Sequence, residues 1–444
     1  MTPSVVRPRL WPLAWPLFLE LCLGIAVGMI GTVLAARVSV AAGGAFALAN
    51  HVNSMLFILF RLIGAGIGVV VTQSLGRQRR AQADACARAA LGASTWMGVV
   101  ITVLAWSAAA PLLRLLNAPP EILPLARVLL QALALTVLFD AWNSAMASVV
   151  RAHMHTRDTL GVIVAMHAVH LVLAWPSMQR WGLPGFAVAL GASRAAGLAL
   201  HLLLWRWRLN LAPRWSDWWR LPRHEVGAML HIGLPGAAEN IAYRLAFMVS
   251  VAVAGQLGAT ALATQAYAQQ IMYFVLLFGL ATGFAVEIIV GHLIGAGELH
   301  EAHRLVRRAL ARGLVVSVLA ALVAALAAPQ LMRVFTQDAA LIAAGTQLLW
   351  LTVLLEPGRT FNLVVINALR AAGDARYPVA AGAASMVLVL AGGSWLLGRH
   401  FGLAGIWVAY AADEWVRGLL MWRRWATLGW VPSARASHRR LRGH

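Results

Sequence analysis

The stretch LRAAGDARYP at residues 369–378 occurs a second time in altered form, and this repetition determines how the chain is organised. A constant shift of 219 positions places it on VRAHMHTRDT at residues 150–159, so that Arg370 falls on Arg151. The same shift matches Asn362 with Asn143, Gly295 with Gly76, Gly283 with Gly64, Arg307 with Arg88, Pro235 with Pro16 and Glu239 with Glu20. With one extra residue, GLAG at 402–405 falls on GLPG at 182–185. One shift held over nearly the whole length indicates a duplicated unit of about half the chain.

The composition is that of a polytopic membrane protein. The chain has 444 residues, is 61% hydrophobic and has a mean hydropathy of +0.74, which is more apolar than soluble globular proteins are. Its apolar runs have about 20 residues or more, enough to cross a bilayer as helices, and roughly twelve can be drawn, six in each repeat. The first run lacks a small-residue cleavage site, so we expect no cleavable signal peptide.

An even number of spans in each repeat means that both repeats enter the membrane in the same direction. The axis that relates them then lies along the membrane normal, as in transporters built from parallel repeats. The sequence therefore predicts an all-α protein of about twelve transmembrane helices, arranged as two six-helix bundles related by a pseudo-twofold axis.

The formal net charge of +20 would suggest a nucleic-acid partner in a soluble protein, but its distribution argues against one. All 36 basic residues are arginines, and 25 of them fall at the two ends and in alternate loops. Six occupy the opposite loops and nearby helix ends, and five fall inside apparent spans. This asymmetry follows the positive-inside rule, so we expect both termini and the even-numbered loops to face the cytoplasm.

The predicted domain organisation follows the repeat. Residues 1–205 form an N-terminal six-helix bundle and residues 226–425 a C-terminal one, with a basic cytoplasmic tail at 426–444. Between the bundles, RWRLNLAPRWSDWWRLPRHE at 206–225 is rich in Trp and Arg. We interpret it as an amphipathic cytoplasmic linker at the lipid headgroup level.

Five segments carry a resemblance to a known family. They are GAGIGVVVTQSLG (64–76), its mate GFAVEIIVGHLIG (283–295), EAHRLVRRAL (301–310), ALRAAGDARYP (368–378) and GLAGIWVAYAADEWVRGLLMWRRW (402–425). In this order, and doubled, they resemble the multidrug and toxic compound extrusion transporters, within the multidrug/oligosaccharidyl-lipid/polysaccharide flippase superfamily. The resemblance covers about residues 10–425.

The resemblance implies two six-helix bundles around a V-shaped cleft, in the inner membrane of a bacterium, working as a monomer. It implies export driven by inward movement of H⁺ or Na⁺, with no cofactor and no enzymatic activity. Two positions depart from the family pattern. Many relatives have an Asp near Gly31 in the first span and a Glu near Tyr243 in the seventh. The carboxylate that couples export to the ion must therefore be found among the residues of this chain.

Ionisable side chains inside a membrane span are costly, which makes them candidates for function. Glu239, with Asn240 and next to Pro235, is the first candidate, and Glu20 is its repeat mate in the first span. The alternative is that both glutamates lie at the membrane interface and are solvated.

Glu356 and Arg359 form a second candidate site, one turn apart in the tenth span. The repeat mate of Arg359 is Asp140, so equivalent positions carry opposite charge and could meet across the cleft. The alternative is a structural pair between Glu356 and Arg359 at i, i+3.

The remaining polar candidates for ion coupling or substrate binding are Glu287, Asn143, Asn362, Asn50 and Gln269. Helix–helix packing is the structural alternative for the asparagines. We expect Asp413 and Arg417 to pair within the twelfth span and Arg194 to pair or reach the interface. No metal site is predicted, because His167 and His170 lack further ligands.

These features predict a secondary transporter that exchanges H⁺ for organic cations or other amphipathic small molecules by alternating access. H⁺ is favoured over Na⁺ because few oxygen ligands cluster in the sequence. Two alternatives stay open: a flavin-nucleotide (FMN or FAD) exporter and a lipid-linked oligosaccharide flippase. No Walker motif is present, so ATP is not expected to bind. The expected partners are the substrate, the coupling cation and the lipid bilayer, and no nucleic acid.

Overall fold

A computed structural model describes residues 9–116 and 118–440 of the chain. Of the arginines that follow the positive-inside pattern or fall inside spans, Arg7, Arg442 and the side chains of Arg61, Arg439 and Arg440 lie outside the described residues. The regular elements of the described residues are helices, with no strand. In chain order they are α1 (Leu10–Val38), α2 (Val40–Gly76), α3 (Arg80–Ser107), α4 (Ala109–Leu115), α5 (Leu123–Ala152), α6 (Thr156–Trp181), α7 (Pro184–Trp207), α8 (Arg223–Gln256), α9 (Ala259–Ala296), α10 (Leu299–Leu326), α11 (Ala328–Arg333), α12 (Ala339–Ala371), α13 (Arg376–Ser385), α14 (Gly392–Ala426) and α15 (Val431–Arg440).

These helices provide the twelve predicted spans. In a bilayer every backbone N–H and C=O must find a partner within the protein, so apolar runs of this length become helices. Ten helical stretches of the described residues are long and apolar enough to cross a membrane. The last of them, Arg376–Ala426, contains two spans that meet at Gly402, and α2 adds another with 37 residues. The predicted all-α fold of twelve transmembrane helices is confirmed.

The two repeats use their helices in the same way. In the first repeat α5 packs against α2, α3 and α7, and in the second α12 packs against α9, α10 and α14. A central helix surrounded by neighbours presents polar side chains to protein instead of lipid. This position suits the buried ionisable residues Asp140 of α5 and Glu356 and Arg359 of α12.

Contacts divide the chain into two compact units. The N-terminal unit is Leu19–Gly233, and the C-terminal unit is Leu234–His444 together with the start of the chain up to Phe18. The unit boundaries fall inside α1 and α8, close to the repeat-matched Pro16 and Pro235. The predicted boundaries of the bundles at 205 and 226 stay predictions. The 206–225 segment belongs to the same unit as residues 19–205.

A glycine turn opens the last span of each repeat. Gly182 has φ 63° and ψ −152°, and its mate Gly402 has φ 61° and ψ −143°. Only glycine adopts this backbone conformation without a steric penalty. Three residues later, Gly185 and Gly405 lie against the backbone carbonyls of Ser177 and Leu397, where a Cβ would collide. The GLPG and GLAG signatures therefore encode one turn and one close helix contact, used twice.

At two other equivalent positions both repeats have a left-handed backbone conformation, but the residue types differ. Gly297 (φ 82°) and Gly373 (φ 82°) end α9 and α12. Their mates in the first repeat are Gln78 (φ 59°) and Met154 (φ 64°). A side chain in this conformation costs about 1–2 kcal/mol, which glycine avoids. The first repeat therefore holds two strained residues where the second has glycine.

The segment that precedes α8 is folded against the N-terminal unit. It contains one 3₁₀ turn, Trp215–Trp218, and is otherwise irregular. The amphipathic linker that the sequence predicts is thus an ordered chain packed on α3, with contacts that are described below.

Candidate functional site

Five charged side chains meet inside the C-terminal unit, and we call them the C-terminal charge cluster: Glu356, Arg359, Asp413, Glu414 and Arg417. All are at most 6% exposed. Arg359 donates from Nη1 to Glu356 Oε1 at 2.7 Å and from Nε to Glu414 Oε1 at 3.2 Å. Arg417 Nη2 lies 2.7 Å from Asp413 Oδ2 and 2.9 Å from Glu414 Oε1. Of the four ion pairs in the cluster, the one between Arg359 and Glu414 joins α12 to α14, and the other three lie within one of these helices.

Neutral groups complete the coordination of two carboxylates in the cluster. Asn362 Nδ2 donates to Glu414 Oε2 at 3.0 Å, and Ser385 Oγ donates to Asp413 Oδ1 at 2.7 Å. Among the described hydrogen bonds Glu356 has one side-chain donor, Arg359. Three carboxylates therefore face two guanidinium groups, and Glu356 is the acid with the fewest donors.

A smaller ion pair occupies the N-terminal unit. Arg194 Nε lies 2.6 Å from Asp140 Oδ1, joining α7 to α5. Asn143 Nδ2 donates to the Arg194 carbonyl at 2.9 Å, and Asn143 Oδ1 lies 2.9 Å from His201 Nδ1. This site pairs one acid with one base, so the charge of the ion pair is balanced.

The two units carry this pair with reversed polarity. Asp140 is the repeat mate of Arg359, and Arg194 is the mate of Glu414 when the one-residue insertion is included. Both pairs form, one as acid and base and the other as base and acid. Asp140 and Arg359 each have an ion-pair partner on the last helix of their own unit, and a meeting of the two across the cleft stays a prediction. The alternative pairing of Arg359 with Glu356 at i, i+3 is present.

A second duplicated ion pair involves the first candidates from the sequence. Arg370 Nη2 lies 2.7 Å from Glu239 Oε2, and Arg151 Nη1 lies 2.8 Å from Glu20 Oε1. Each glutamate is on the first helix of its repeat, α8 or α1, and each arginine is in the last turn of the central helix, α12 or α5. Glu239 is 6% exposed and Glu20 is half-buried, and each is paired with an arginine, so neither carboxylate is held by solvent alone.

The other candidates are placed as follows. Glu287 is buried in α9, within electrostatic reach of Arg370. Asn240 Nδ2 donates to the Gly236 carbonyl of its own helix at 3.1 Å. Gln269 Nε2 is 3.5 Å from the Tyr410 hydroxyl, and Asn50 is half-buried in α2. These four side chains do not join the C-terminal charge cluster through any described contact.

The predicted pairing within the twelfth span is present, because Arg417 Nε also donates to Asp413 Oδ2 at 2.9 Å. Among the residues that the structure describes, no three His, Cys, Asp or Glu side chains come together as metal ligands. His170 is buried edge-on against Phe186 with ring centroids 4.7 Å apart.

Comparison with known proteins gives the same doubled pattern. The family model MatE matches residues 16–175 and again residues 235–395, so both repeats match and together they cover most of the chain. The chain belongs to the MatE family, the multidrug and toxic compound extrusion transporters. MATE proteins are membrane transporters, and this conclusion rests on both halves of the sequence.

Relatives and solved structures agree with this assignment. The chain is 30% identical over 437 residues to "Uncharacterized transporter YisQ" of Bacillus subtilis strain 168, covering 96% of this chain and 94% of that protein. It is 24% identical over 360 residues to "Multidrug resistance protein PmpM" of Pseudomonas aeruginosa, covering 79% and 75%. The Vibrio cholerae MATE transporter VcmN in its bent form has the same fold, with a TM-score of 0.88, 18% identity and 97% coverage of both chains.

The structure explains the first departure from the MATE pattern. A Cβ at Gly31 would lie 3.0 Å from the rings of both Phe46 and Phe186. These rings pack edge to face, with centroids 4.8 Å apart, inside an apolar core of the N-terminal unit. A carboxylate at Gly31 would displace two aromatic side chains, so this part of the MATE protein is closed to a charged group.

The second departure, Tyr243, lies at the edge of the C-terminal charge cluster. The Arg417 guanidinium carbon is 5.6 Å from the centre of the Tyr243 ring, close enough for a cation–π contact. Tyr243 stacks with Phe247, which stacks with Tyr410, at centroid distances of 6.1 and 5.7 Å.

Sequence reasoning missed several members of this MATE site. The sequence indicates no partner on another helix for Glu414. It also gives no signal for Ser385, which donates to Asp413, or for Gln265, which donates to the Tyr410 hydroxyl at 3.0 Å. The repeat offered one usable signal. Applying the 220-position shift of the GLAG turn to Glu414 gives Arg194, which marks both as members of one duplicated pair.

Proposed function

We propose that this transporter exchanges protons for organic cations or other amphipathic small molecules, and that the C-terminal charge cluster carries the coupling proton. The supporting observation is the imbalance of three buried carboxylates against two arginines. An uncompensated charge at this depth is costly. Binding one proton makes the cluster neutral, and losing it requires the cluster to open to water.

Glu356 is the proposed site of the proton. Glu414 is held by two arginines and Asn362, and Asp413 by Arg417 and Ser385. Each such donor stabilises the ionised form of its carboxylate. Glu356 receives a single such donor, Arg359, so protonating it breaks the fewest favourable contacts.

The same contacts favour H⁺ over Na⁺. A sodium site needs several oxygen atoms that converge on the ion. Oxygens of Asp413 and Glu414 already accept hydrogen bonds from arginine, serine and asparagine side chains. Coordinating Na⁺ at this place would require several of these bonds to break, whereas a proton needs one lone pair.

Cargo of positive charge fits this arrangement. A proton and a cationic cargo would each neutralise the extra carboxylate, so only one of them binds at a time. This competition couples release of the cargo to uptake of the proton. The flavin-nucleotide alternative needs a guanidinium that can receive phosphate, but Arg359 is engaged by Glu356 and Glu414. Efflux of organic cations, driven by the gradient without a cofactor, is therefore the preferred assignment.

The test uses purified protein in proteoliposomes loaded with a fluorescent organic cation. We expect an imposed pH gradient to drive dye movement in wild type and not in Glu356→Gln, while an imposed Na⁺ gradient drives none. Dye exchange without a gradient should persist in Glu356→Gln, which separates loss of coupling from loss of folding. Glu301→Gln is the matched control, because Glu301 pairs with Arg304 at i, i+3 on an exposed surface.

Other outcomes would reassign the function. Dye movement that follows Na⁺, or that keeps its pH dependence in Glu356→Gln, would contradict the proposed coupling. Movement of FMN in place of the dye would support the flavin exporter. Movement of neither cargo would leave the lipid-linked oligosaccharide flippase as the next activity to test.

A further inference from the structure

The Trp- and Arg-rich segment at residues 206–223, here called the Trp–Arg segment, is anchored to α3. Arg80 Nη2 donates to the Leu209 carbonyl at 2.6 Å, and Trp96 Nε1 donates to the Trp219 carbonyl at 2.9 Å. Leu209 is 2% exposed. The two ends of the irregular stretch are thus tied to the same helix by hydrogen bonds to its backbone.

Close packing also fixes the C-terminal part of the Trp–Arg segment. The Arg220 carbonyl lies against Gly92 of α3, in the space that a Cβ would occupy. Trp218 packs edge to face on Trp142 with centroids 5.0 Å apart. Because backbone and side chains are both held, this segment presents a defined surface.

The outward side of this segment is basic and aromatic. Its exposed side chains are Arg206, Arg208, Arg214, Arg220 and Arg223 together with Trp207, Trp215 and Trp219. Trp207 and Trp215 are 72% and 79% exposed. The one acid within the segment, Asp217, accepts a hydrogen bond from the Arg214 backbone N–H at 2.8 Å and lies 3.9 Å from Arg88 Nε. The surface therefore carries a strong excess of positive charge.

We propose that the Trp–Arg segment is a binding site for anionic phospholipids of the cytoplasmic leaflet. Arginine forks bind phosphate with two hydrogen bonds, and indole rings settle at the headgroup level. Basic residues next to transmembrane helices attract acidic lipids strongly. The exposed tryptophans distinguish this site from one for a soluble anion, since three indoles in water would lose the apolar contact that acyl chains provide.

The first test measures lipid binding directly and is independent of the coupling mechanism. Full-length protein is purified, stripped of loosely bound lipid and analysed by native mass spectrometry with phosphatidylglycerol and phosphatidylcholine. We expect retention of phosphatidylglycerol over phosphatidylcholine. The triple variant Arg214→Gln/Arg220→Gln/Arg223→Gln should weaken phosphatidylglycerol binding by roughly fivefold for each arginine.

The matched control removes the same charge from the other side of the protein. Arg114, Arg333 and Arg399 are exposed, and the charge pattern assigns them to the opposite membrane face. Arg114→Gln/Arg333→Gln/Arg399→Gln should retain phosphatidylglycerol as wild type does. An equal loss of phosphatidylglycerol binding in both triple variants would show that net charge alone causes the effect, and it would overturn the proposal.

A second measurement remains available if the segment variant folds poorly. Brominated phosphatidylglycerol in nanodiscs should quench tryptophan fluorescence of the otherwise native protein, and Trp215→Phe should remove part of that quenching. Brominated phosphatidylcholine should quench this component less. Equal quenching by both lipids would contradict the proposal. Displacement of phosphatidylglycerol by millimolar inorganic phosphate would show a general anion site and also contradict it.

Discussion

At the scale of single residues, the reversed ion pairs show how far the repeats have diverged while keeping one geometry. Asp140–Arg194 and Arg359–Glu414 link the same two helices of each repeat with opposite charges. A buried pair is neutral in either orientation, so a reversal keeps the electrostatic balance. In the C-terminal unit the pair is accompanied by Glu356, Asp413 and Arg417, and among the described side chains the Asp140–Arg194 pair has no comparable set of ion-pair partners.

This equivalence predicts the result of exchanging the charges in the N-terminal unit. Asp140→Asn or Arg194→Ala leaves one buried charge uncompensated, which costs about 3–5 kcal/mol. The double variant Asp140→Arg/Arg194→Glu copies the polarity of the C-terminal unit and should recover a large part of that loss. Apparent melting temperatures in detergent measure both effects. A double variant no more stable than the single variants would show that the surroundings, and not the pair, determine the polarity.

Met154 gives a second prediction at this scale. It adopts φ 64° at the end of α5, where the second repeat has Gly373. Met154→Gly should raise stability by about 0.5–1 kcal/mol, because relief of the left-handed strain exceeds the added flexibility of the unfolded chain. The reverse change, Gly373→Ala, should lower stability by a similar amount. Thermal unfolding in detergent tests the pair, and a loss of stability in Met154→Gly would refute the strain argument.

At the level of helices, each duplicated Glu–Arg pair connects the first helix of a repeat to the central helix of that repeat. Glu239 of α8 meets Arg370 of α12, and Glu20 of α1 meets Arg151 of α5. Each glutamate lies just beyond the point where contacts reassign its helix from one unit to the other. The pairs therefore attach the remainder of α1 and of α8 to the unit in which it lies.

A double-mutant cycle distinguishes this attachment from proton coupling. We expect Glu239→Ala and Arg370→Ala each to lower stability by about 1–3 kcal/mol, and the double variant to lose little more than either. Dye transport by Glu239→Gln should still follow the pH gradient, in contrast to Glu356→Gln. Additive losses in the cycle would argue against a direct pair. Loss of pH-driven transport in Glu239→Gln would restore Glu239 as the coupling carboxylate.

At the scale of the whole molecule, the duplication has a consequence for topology. Both repeats have six spans, and arginines concentrate in alternate loops, a pattern that predicts that the two termini lie on the cytoplasmic side. A green fluorescent protein fused after residue 444 should therefore fluoresce, and alkaline phosphatase fused there should be inactive. Fusions in the loop after α5 should behave like the terminal fusion, and fusions after α4 should show the reverse. The opposite pattern would invert the orientation and place the Trp–Arg segment on the outer face.

The architecture of this protein follows from its amino-acid sequence alone. Twelve apolar runs became helices because a bilayer leaves the backbone no other way to satisfy its polar groups. The shift of 219 positions predicted that the repeats match, and the family model matches both. The turns at Gly182 and Gly402 can also be predicted from the sequence, because a glycine that recurs at the boundary of a span indicates a turn.

The partners of the charged side chains depend on how the helices pack. Glu239 and Arg370 are separated by 131 residues, and Arg359 and Glu414 by 55, so sequence spacing carried no information about these contacts. The local pairs Glu356–Arg359 and Asp413–Arg417 were accessible because one helical turn brings them together. The excess of one carboxylate in the C-terminal charge cluster can be recognised only from the packed helices, because the contacts of each arginine define its partners. The physical reason is that span formation depends on local chain chemistry, whereas charge balance inside the membrane depends on which helices are neighbours.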